Sequence, residues 1–167
     1  MDTPAPNQIK QGLPPAARPD ARLFILGSLP GDASLVAKRY YAHPRNNFWR
    51  LVGDAIGEEL AGLDYDERLR RLGERRIGLW DVIASAKRRG SLDQAIRSAG
   101  HNPLAHYFAG FAELQAVALN GAAAAAAGLR LLDGSGLTLI PLPSSSPANT
   151  MPYAAKVKAW RVLSTYL

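Results

Sequence analysis

Between Gly27 and Trp49 the chain reads GSLPGDASLVAKRYYAHPRNNFW, directly after the apolar run Leu23-Phe24-Ile25-Leu26. Tyr40, Tyr41, Phe48 and Trp49 supply flat rings; Asn46 and Asn47 supply amides that both donate and accept hydrogen bonds. A core has no use for an asparagine pair, and an ordinary surface loop has none for adjacent tyrosines. Rings and amides together suit a flat ligand with a polar edge. A second polar stretch, PSSSPAN from Pro143 to Asn149, offers hydroxyls. It lacks a GxSxG elbow and has no neighbouring histidine or lysine, so it does not read as a serine nucleophile. The sequence contains no cysteine, which excludes disulfides, thiolate metal sites and a cysteine nucleophile. His43, His101 and His106 lack the i,i+4 pairing of an HExxH helix, so no catalytic metal site is expected.

Such residues need a frame. Arg22–Leu26 reads as a buried strand ended by Gly27, and Phe48, Leu51, Val52, Ala55 and Ile56 recur at helical spacing. Asp64 opens a charged surface helix reaching Arg76. Ile77–Ile83 is a second strand candidate, followed by a polar loop, ASAKRRGSLD. Asn102 and Pro103 open a helix running to Leu114. Ala116–Leu119 and Leu137–Leu142 complete the strands, with an alanine-rich helix between them. Met151–Leu167 closes the chain as a helix with Val157, Trp160 and Leu163 inward. Strands alternating with helices predict a three-layer α/β sandwich around a mainly parallel four-stranded sheet. Residues 21–167 form one domain in this reading, and the Pro-rich residues 1–20 a flexible arm. No apolar run nears the roughly 20 residues of a membrane span, and no apolar signal core opens the chain, so a cytoplasmic monomer is expected.

In open parallel sheets, ligands sit beyond the carboxyl ends of the strands. The loops there are GSLPGDAS, the polar loop after Ile83, NGA at Asn120 and PLPSSSPAN, and they converge on one site. Each has two readings. GSLPG is a tight turn, or a place where backbone N–H groups approach a ligand closely. PSSSPAN is a capped loop or a phosphate clamp. Lys87-Arg88-Arg89 is solvated surface or a phosphate contact, and Asp81 and Asp93 beside it cap or pair with an arginine. Asn120-Gly121 reads most simply as a turn, and His43 hydrogen-bonds within its own loop. The net charge of +6 adds modest weight to a polyanionic partner.

Taken in order, GSLPG at Gly27, YYAHPRNNFW from Tyr40, WDVI…RRGSLD from Trp80, LNG at Leu119 and LPSSSPAN at Leu142 resemble the uracil-DNA glycosylase superfamily. The nearest likeness is to its hypoxanthine-DNA (deoxyinosine) glycosylase branch, and it runs from about Arg22 to the end. There are departures. Leu29 stands where mismatch-specific uracil enzymes carry a water-handling asparagine. Leu142 and Ser146 stand where other uracil enzymes have a histidine and a leucine wedge. Ala122 stands where a lysine is common, and nothing in the sequence explains it.

The resemblance implies an enzyme that turns a deaminated base out of double- or single-stranded DNA and hydrolyses its glycosidic bond. It assigns Asn46 and Asn120 to positioning the water and donating to the departing base, in either order. Tyr41 and Phe48 would stack on the base, with Trp49 in the core, while Gly27, Ser28 and Leu29 would bond its rim. Arg45, Lys87, Arg88, Ser144, Ser145, Ser146 and Pro147 would meet DNA. The wedge would be the small serine loop or come from elsewhere. With no lysine in a motif position, the product is an abasic site without strand cleavage, and no metal or organic cofactor is implied. A uracil or mismatch-specific glycosylase, or a catalytically silent DNA-binding module, are the alternatives.

Overall fold

The computed structural model describes residues 8–167. The described chain begins in strand β1 (Ile9–Gln11) rather than in a free arm. Only residues 1–7 of the expected arm lie outside the described residues; Ala16 bridges to Leu79, and Pro14 O accepts from the Tyr40 hydroxyl at 2.7 Å. Prolines that exclude helix still permit extended edge pairing, which is what this segment does.

β2 (Leu23–Gly27) follows, then α1 (Asp32–Ala37), α2 (Phe48–Ile56) and α3 (Tyr65–Glu74). The Asp64 side chain caps α3 by accepting from Glu67 N, as its acidic start predicts. β3 (Ile77–Asp81) leads into β4 (Ile83–Arg88), which turns back as β5 (Ile96–His101). α4 (Leu104–Phe108), β6 (Ala116–Asn120), α5 (Ala122–Leu131), β7 (Thr138–Leu142) and α6 (Tyr153–Trp160) complete the order, with a 3-10 turn over Arg161–Tyr166.

The main sheet is parallel, in the order β3-β2-β6-β7. β2, β3 and β6 are buried along their whole length, because helices cover both faces. Alternate residues enter different core layers: Leu23, Ile25, Ala116 and Ala118 face α2 and α6, while Phe24, Leu26, Val117 and Leu119 face α4 and α5. Val157, Trp160 and Leu163 are buried in the first of these layers, as expected.

Two expectations need correction. The polar stretch after Ile83 is not a loop: β4 is the centre of an antiparallel sheet ordered β1-β4-β5. Its inward residues are Ile83, Ala86 and Arg88, so one buried arginine disguises the strand's periodicity. The helix expected over residues 102–114 is confined to Leu104–Phe108: the chain turns at Ala109–Gly110, where glycine disfavours continuing the helix, and Asn102 Nδ2 donates to Asp81 O rather than capping it. Phe108, the last residue of this helix, and Phe111 beyond it close around Phe24, at centroid distances of 4.8 and 5.1 Å.

Candidate active site

β2 is flanked by β3 on one side and β6 on the other, so the chain reverses direction across the sheet between β2 and β6. Loops leaving such a switch point diverge and open a crevice. Here the crevice is a cavity of about 630 Å³ lined by all the strand-end loops, including Gly27, Asp81, Asn120 and Ser144. That volume lies within the range of small-molecule sites.

Its floor is Tyr41, which lies on Phe48 with centroids 3.7 Å apart and planes 12° from parallel. Tyr41 has a left-handed backbone (φ 55°), uncommon for a ring-bearing residue and typical of sites the fold over-determines. Phe48 is fully buried behind it. The expectation that both rings touch a ligand is therefore corrected: Phe48 backs Tyr41, because α2 turns its apolar stripe into the core. Trp49 is core as well, and donates from Nε1 to Tyr40 O at 3.3 Å.

Asn46 lines the cavity just ahead of α2, and its Oδ1 accepts from Phe48 N at 3.0 Å. The carbonyl retains a second lone pair, and Nδ2 has no partner among the described residues. Asn120, at the end of β6, is more committed. Its Nδ2 donates to Ser145 Oγ at 3.0 Å and to the Tyr41 hydroxyl at 3.3 Å, while Oδ1 accepts from Ser145 N at 3.0 Å. Gly121 has φ 97°, and a Cβ there would sit 3.1 Å from Ser144 Cβ; this accounts for the NG pair. α5 starts immediately after, so its first N–H groups and positive dipole end face the cavity through Ala122 and Ala123.

The loop after β2 turns its carbonyls to the protein and its N–H groups to the cavity. Gly27 O accepts from Val82 N and Ser28 O from Ile83 N, at 2.8 and 3.0 Å, while Leu29 O accepts from Arg88 Nη1 at 3.1 Å. The carbonyls are all occupied. The N–H groups of Ser28 and Leu29 have no acceptor among the described residues, and both residues line the cavity. Gly27 lacks the Cβ that would lie 2.6 Å from Asp81 Oδ1 and 3.0 Å from the Tyr41 hydroxyl. The glycine thus brings a carboxyl and a phenol together.

Asp81 is the residue sequence reasoning passed over as a cap or ion-pair partner. It is 3 % exposed, lines the cavity, and its Oδ2 has no hydrogen-bond partner among the described residues. Burial, reinforced by Asp93 and opposed by Arg88, pushes its carboxyl up to about 7. The signal was its place, the last residue of a parallel strand. Asp93 is held at the rim by Ser28 Oγ, which donates to Oδ1 at 2.6 Å.

Two expected DNA contacts are corrected. The Arg88 side chain is wholly buried: Nε and Nη1 donate to Gly90 O and Leu29 O at 2.9 and 3.1 Å, and Nη2 to Pro30 O at 2.5 Å. Ser145 is 1 % exposed and turned to Asn120. Ser144, Ser146 and Pro147 line the cavity, and Lys156 Nζ ties Ser146 O from behind at 3.2 Å. Arg45 and Lys87 are exposed, and His43 Nδ1 accepts from Arg45 N within its own loop. Among the described residues no helix is long and apolar enough to cross a membrane.

Known proteins resemble this chain over most of its length. A Methanosarcina acetivorans protein named hypoxanthine DNA glycosylase is 41% identical over 141 residues, covering 84% of this chain and 89% of the relative. A Methanosarcina barkeri protein of the same name is 49% identical over 88 residues, which span 53% of this chain and about half of that relative, 56%. The solution NMR structure of a Methanosarcina acetivorans protein provisionally assigned as a uracil DNA glycosylase superposes with a TM-score of 0.85 at 38% identity, covering 94% of this chain and 97% of that one. The family model of the uracil DNA glycosylase superfamily matches residues 14–164. The chain belongs to the uracil DNA glycosylase superfamily.

Proposed function

We propose that this protein is a monofunctional DNA glycosylase that excises a deaminated base, hypoxanthine foremost, from DNA and leaves an abasic site. The carrying observation is the cavity at the switch point, which combines a ring platform, free backbone donors, two asparagines and a buried unpaired carboxyl. A base in a duplex must leave the stack to reach such a pocket. Tyr41 stacks on one face of it. The N–H groups of Ser28 and Leu29 meet acceptors on its rim. Asp81, neutral, donates through its hydroxyl to the base carbonyl and accepts from the adjacent ring N–H. That lactam edge is common to hypoxanthine, xanthine and uracil, so uracil is the competing substrate.

Cleavage breaks the C1′–N bond with the electron pair staying on the base, and the sugar passes through an oxocarbenium-like state. Asn46 positions the water that attacks C1′; as the C–O bond forms, the water's proton passes through solvent to the departing base, which leaves neutral. Asn120 Nδ2 gives up its longer bond, to Tyr41, and donates to the departing base, whose charge also faces the positive end of α5. No lysine lines the cavity among the described residues, which supports hydrolysis without a Schiff base. Arg45, Lys87 and the exposed part of the serine loop meet phosphates. The protein acts as a monomer on chromosomal DNA in the cytoplasm.

The test is single-turnover excision in EDTA from duplexes carrying hypoxanthine, xanthine, uracil or a normal base. Release of hypoxanthine, lost in Asn46→Ala with DNA binding retained, supports the reading. Release of uracil alone moves the substrate but keeps the chemistry. No release from any duplex leaves a DNA-binding module.

A further inference from the structure

Extruding a nucleotide leaves a gap in the base stack, and proteins that hold DNA in that state commonly fill it with an apolar side chain. The serine loop has little to offer. Ser145 is turned inward, and the remaining cavity residues there, Ser144, Ser146, Pro147 and Ala148, are small.

Large apolar side chains are exposed among the described residues at Ile9, Val36, Leu92, Leu129, Met151 and Val162. Of these, Leu92 alone lines the cavity, and it is 55% exposed. It sits at the tip joining β4 to β5, in extended conformation just before the 3-10 turn Asp93–Ala95. The tip is anchored on both sides. Gly90 O accepts from buried Lys10 Nζ at 2.7 Å and from Arg88 Nε at 2.9 Å. Ser91 Oγ accepts from Asp32 N at 2.9 Å, and Asp93 is held by Ser28 Oγ. A fixed mount for an exposed leucine lowers the ordering cost of inserting it. Behind the tip, Lys87 and Arg97 are partners across the β4–β5 ladder, both exposed, with Arg97 Nη1 donating to Gln94 O and Ile96 O at 2.8 Å. Directly opposed like charges destabilise a sheet, and a phosphate between them removes that repulsion.

We propose that Leu92 enters the duplex where the extruded nucleotide stood, with Lys87 and Arg97 holding the adjoining phosphates. This rests on the reading of the cavity as the pocket for a base from DNA. It places the wedge on the β4–β5 tip rather than on the serine loop.

The experiment compares single-turnover excision of hypoxanthine from a duplex and from the same strand alone. Leu92→Ala is expected to slow duplex excision by about tenfold or more, and to leave the single strand within about twofold, since only the duplex has a stack to hold open. Leu92→Phe retains duplex excision, and Met151→Ala changes neither. Equal losses on both substrates, or no loss on the duplex, overturn the proposal. In a second readout, Leu92→Trp is titrated with a duplex carrying a stable abasic analogue. Quenching of the added indole by stacking supports insertion, and unchanged emission overturns it. If wild type excises from neither DNA, the glycosylase reading fails, and this titration still decides whether Leu92 inserts.

Discussion

Tyr41 lies flat on Phe48, 3.7 Å between centroids, and the two rings belong to opposite worlds: one faces the cavity, the other is sealed in the core. The site's floor is thereby fixed by the packing of α2. Phe48 also meets Trp49 and Trp160 edge-on, so the platform rests on an aromatic cluster that joins α2 to α6.

Phe48→Ala should cost about 3–5 kcal/mol in urea unfolding, the usual penalty for emptying an aromatic core position. Phe48→Leu should retain most of that stability yet slow excision, because a branched aliphatic supports a ring less evenly than another ring. Unaltered excision by Phe48→Leu would show that Tyr41 needs no backing.

Asn120→Ala deletes three hydrogen bonds and orphans the buried N–H of Ser145. A loss of about 2–3 kcal/mol is expected, with the serine loop loosened. Asn120→Asp keeps the acceptor for Ser145 N and loses the donors, so it should fall between the two in melting temperature. If Asn120→Ala melts like wild type, the residue contacts ligand only.

Asp81 makes stability depend on pH. Its ordinary value is 3.8 and burial lifts it to about 7 in the folded protein. Between these values the folded protein holds a proton that the unfolded chain has released, so stability falls as pH rises through this window and levels off above it. At about 1.4 kcal/mol per unit, the decline reaches at most about 4 kcal/mol. Asp81→Asn should flatten the curve, gaining stability over wild type near about pH 8 and none near about pH 4, as read by urea midpoints. Wild-type excision should fall above neutrality as the donor is lost, and the amide variant should lack that limb.

Lys87 and Arg88 are neighbours that face opposite ways, the first exposed and the second wholly buried. Lys87→Ala should leave the unfolding midpoint unchanged and lower the salt dependence of DNA binding by about 0.9 in log–log slope. Arg88→Met strips donors from Leu29, Pro30 and Gly90 carbonyls and should destabilise by about 2–4 kcal/mol. Denaturation and salt-titrated binding together distinguish the two residues.

That pair also marks where the sequence was legible. Arg22–Leu26 and Ala116–Leu119 announce buried strands because burial on both faces demands unbroken apolar runs. Phe48, Leu51, Val52, Ala55 and Ile56 announce α2 by their spacing, and all are buried. The antiparallel β4–β5 unit was hidden because an inward arginine satisfied by carbonyls looks, in sequence, like its exposed neighbours. Asn46 and Asn120 stood out as amides in unusual company. Asp81 did not, since only three-dimensional enclosure distinguishes a lone buried carboxyl from a surface one. Phe48 and Ser145 were placed in the right cluster and on the wrong side of it, because residue type does not say which way a side chain turns.

The sheet order has a consequence for biosynthesis. The cavity draws on residues from Gly27 to Asn149, delivered by strands that pair out of sequence. β2 acquires β3 early in translation, but its other neighbour, β6, and then β7 emerge much later. A ribosome-bound chain therefore carries no complete pocket until Asn149 has emerged, and a truncated product lacking β7 would retain basic surface without the whole pocket.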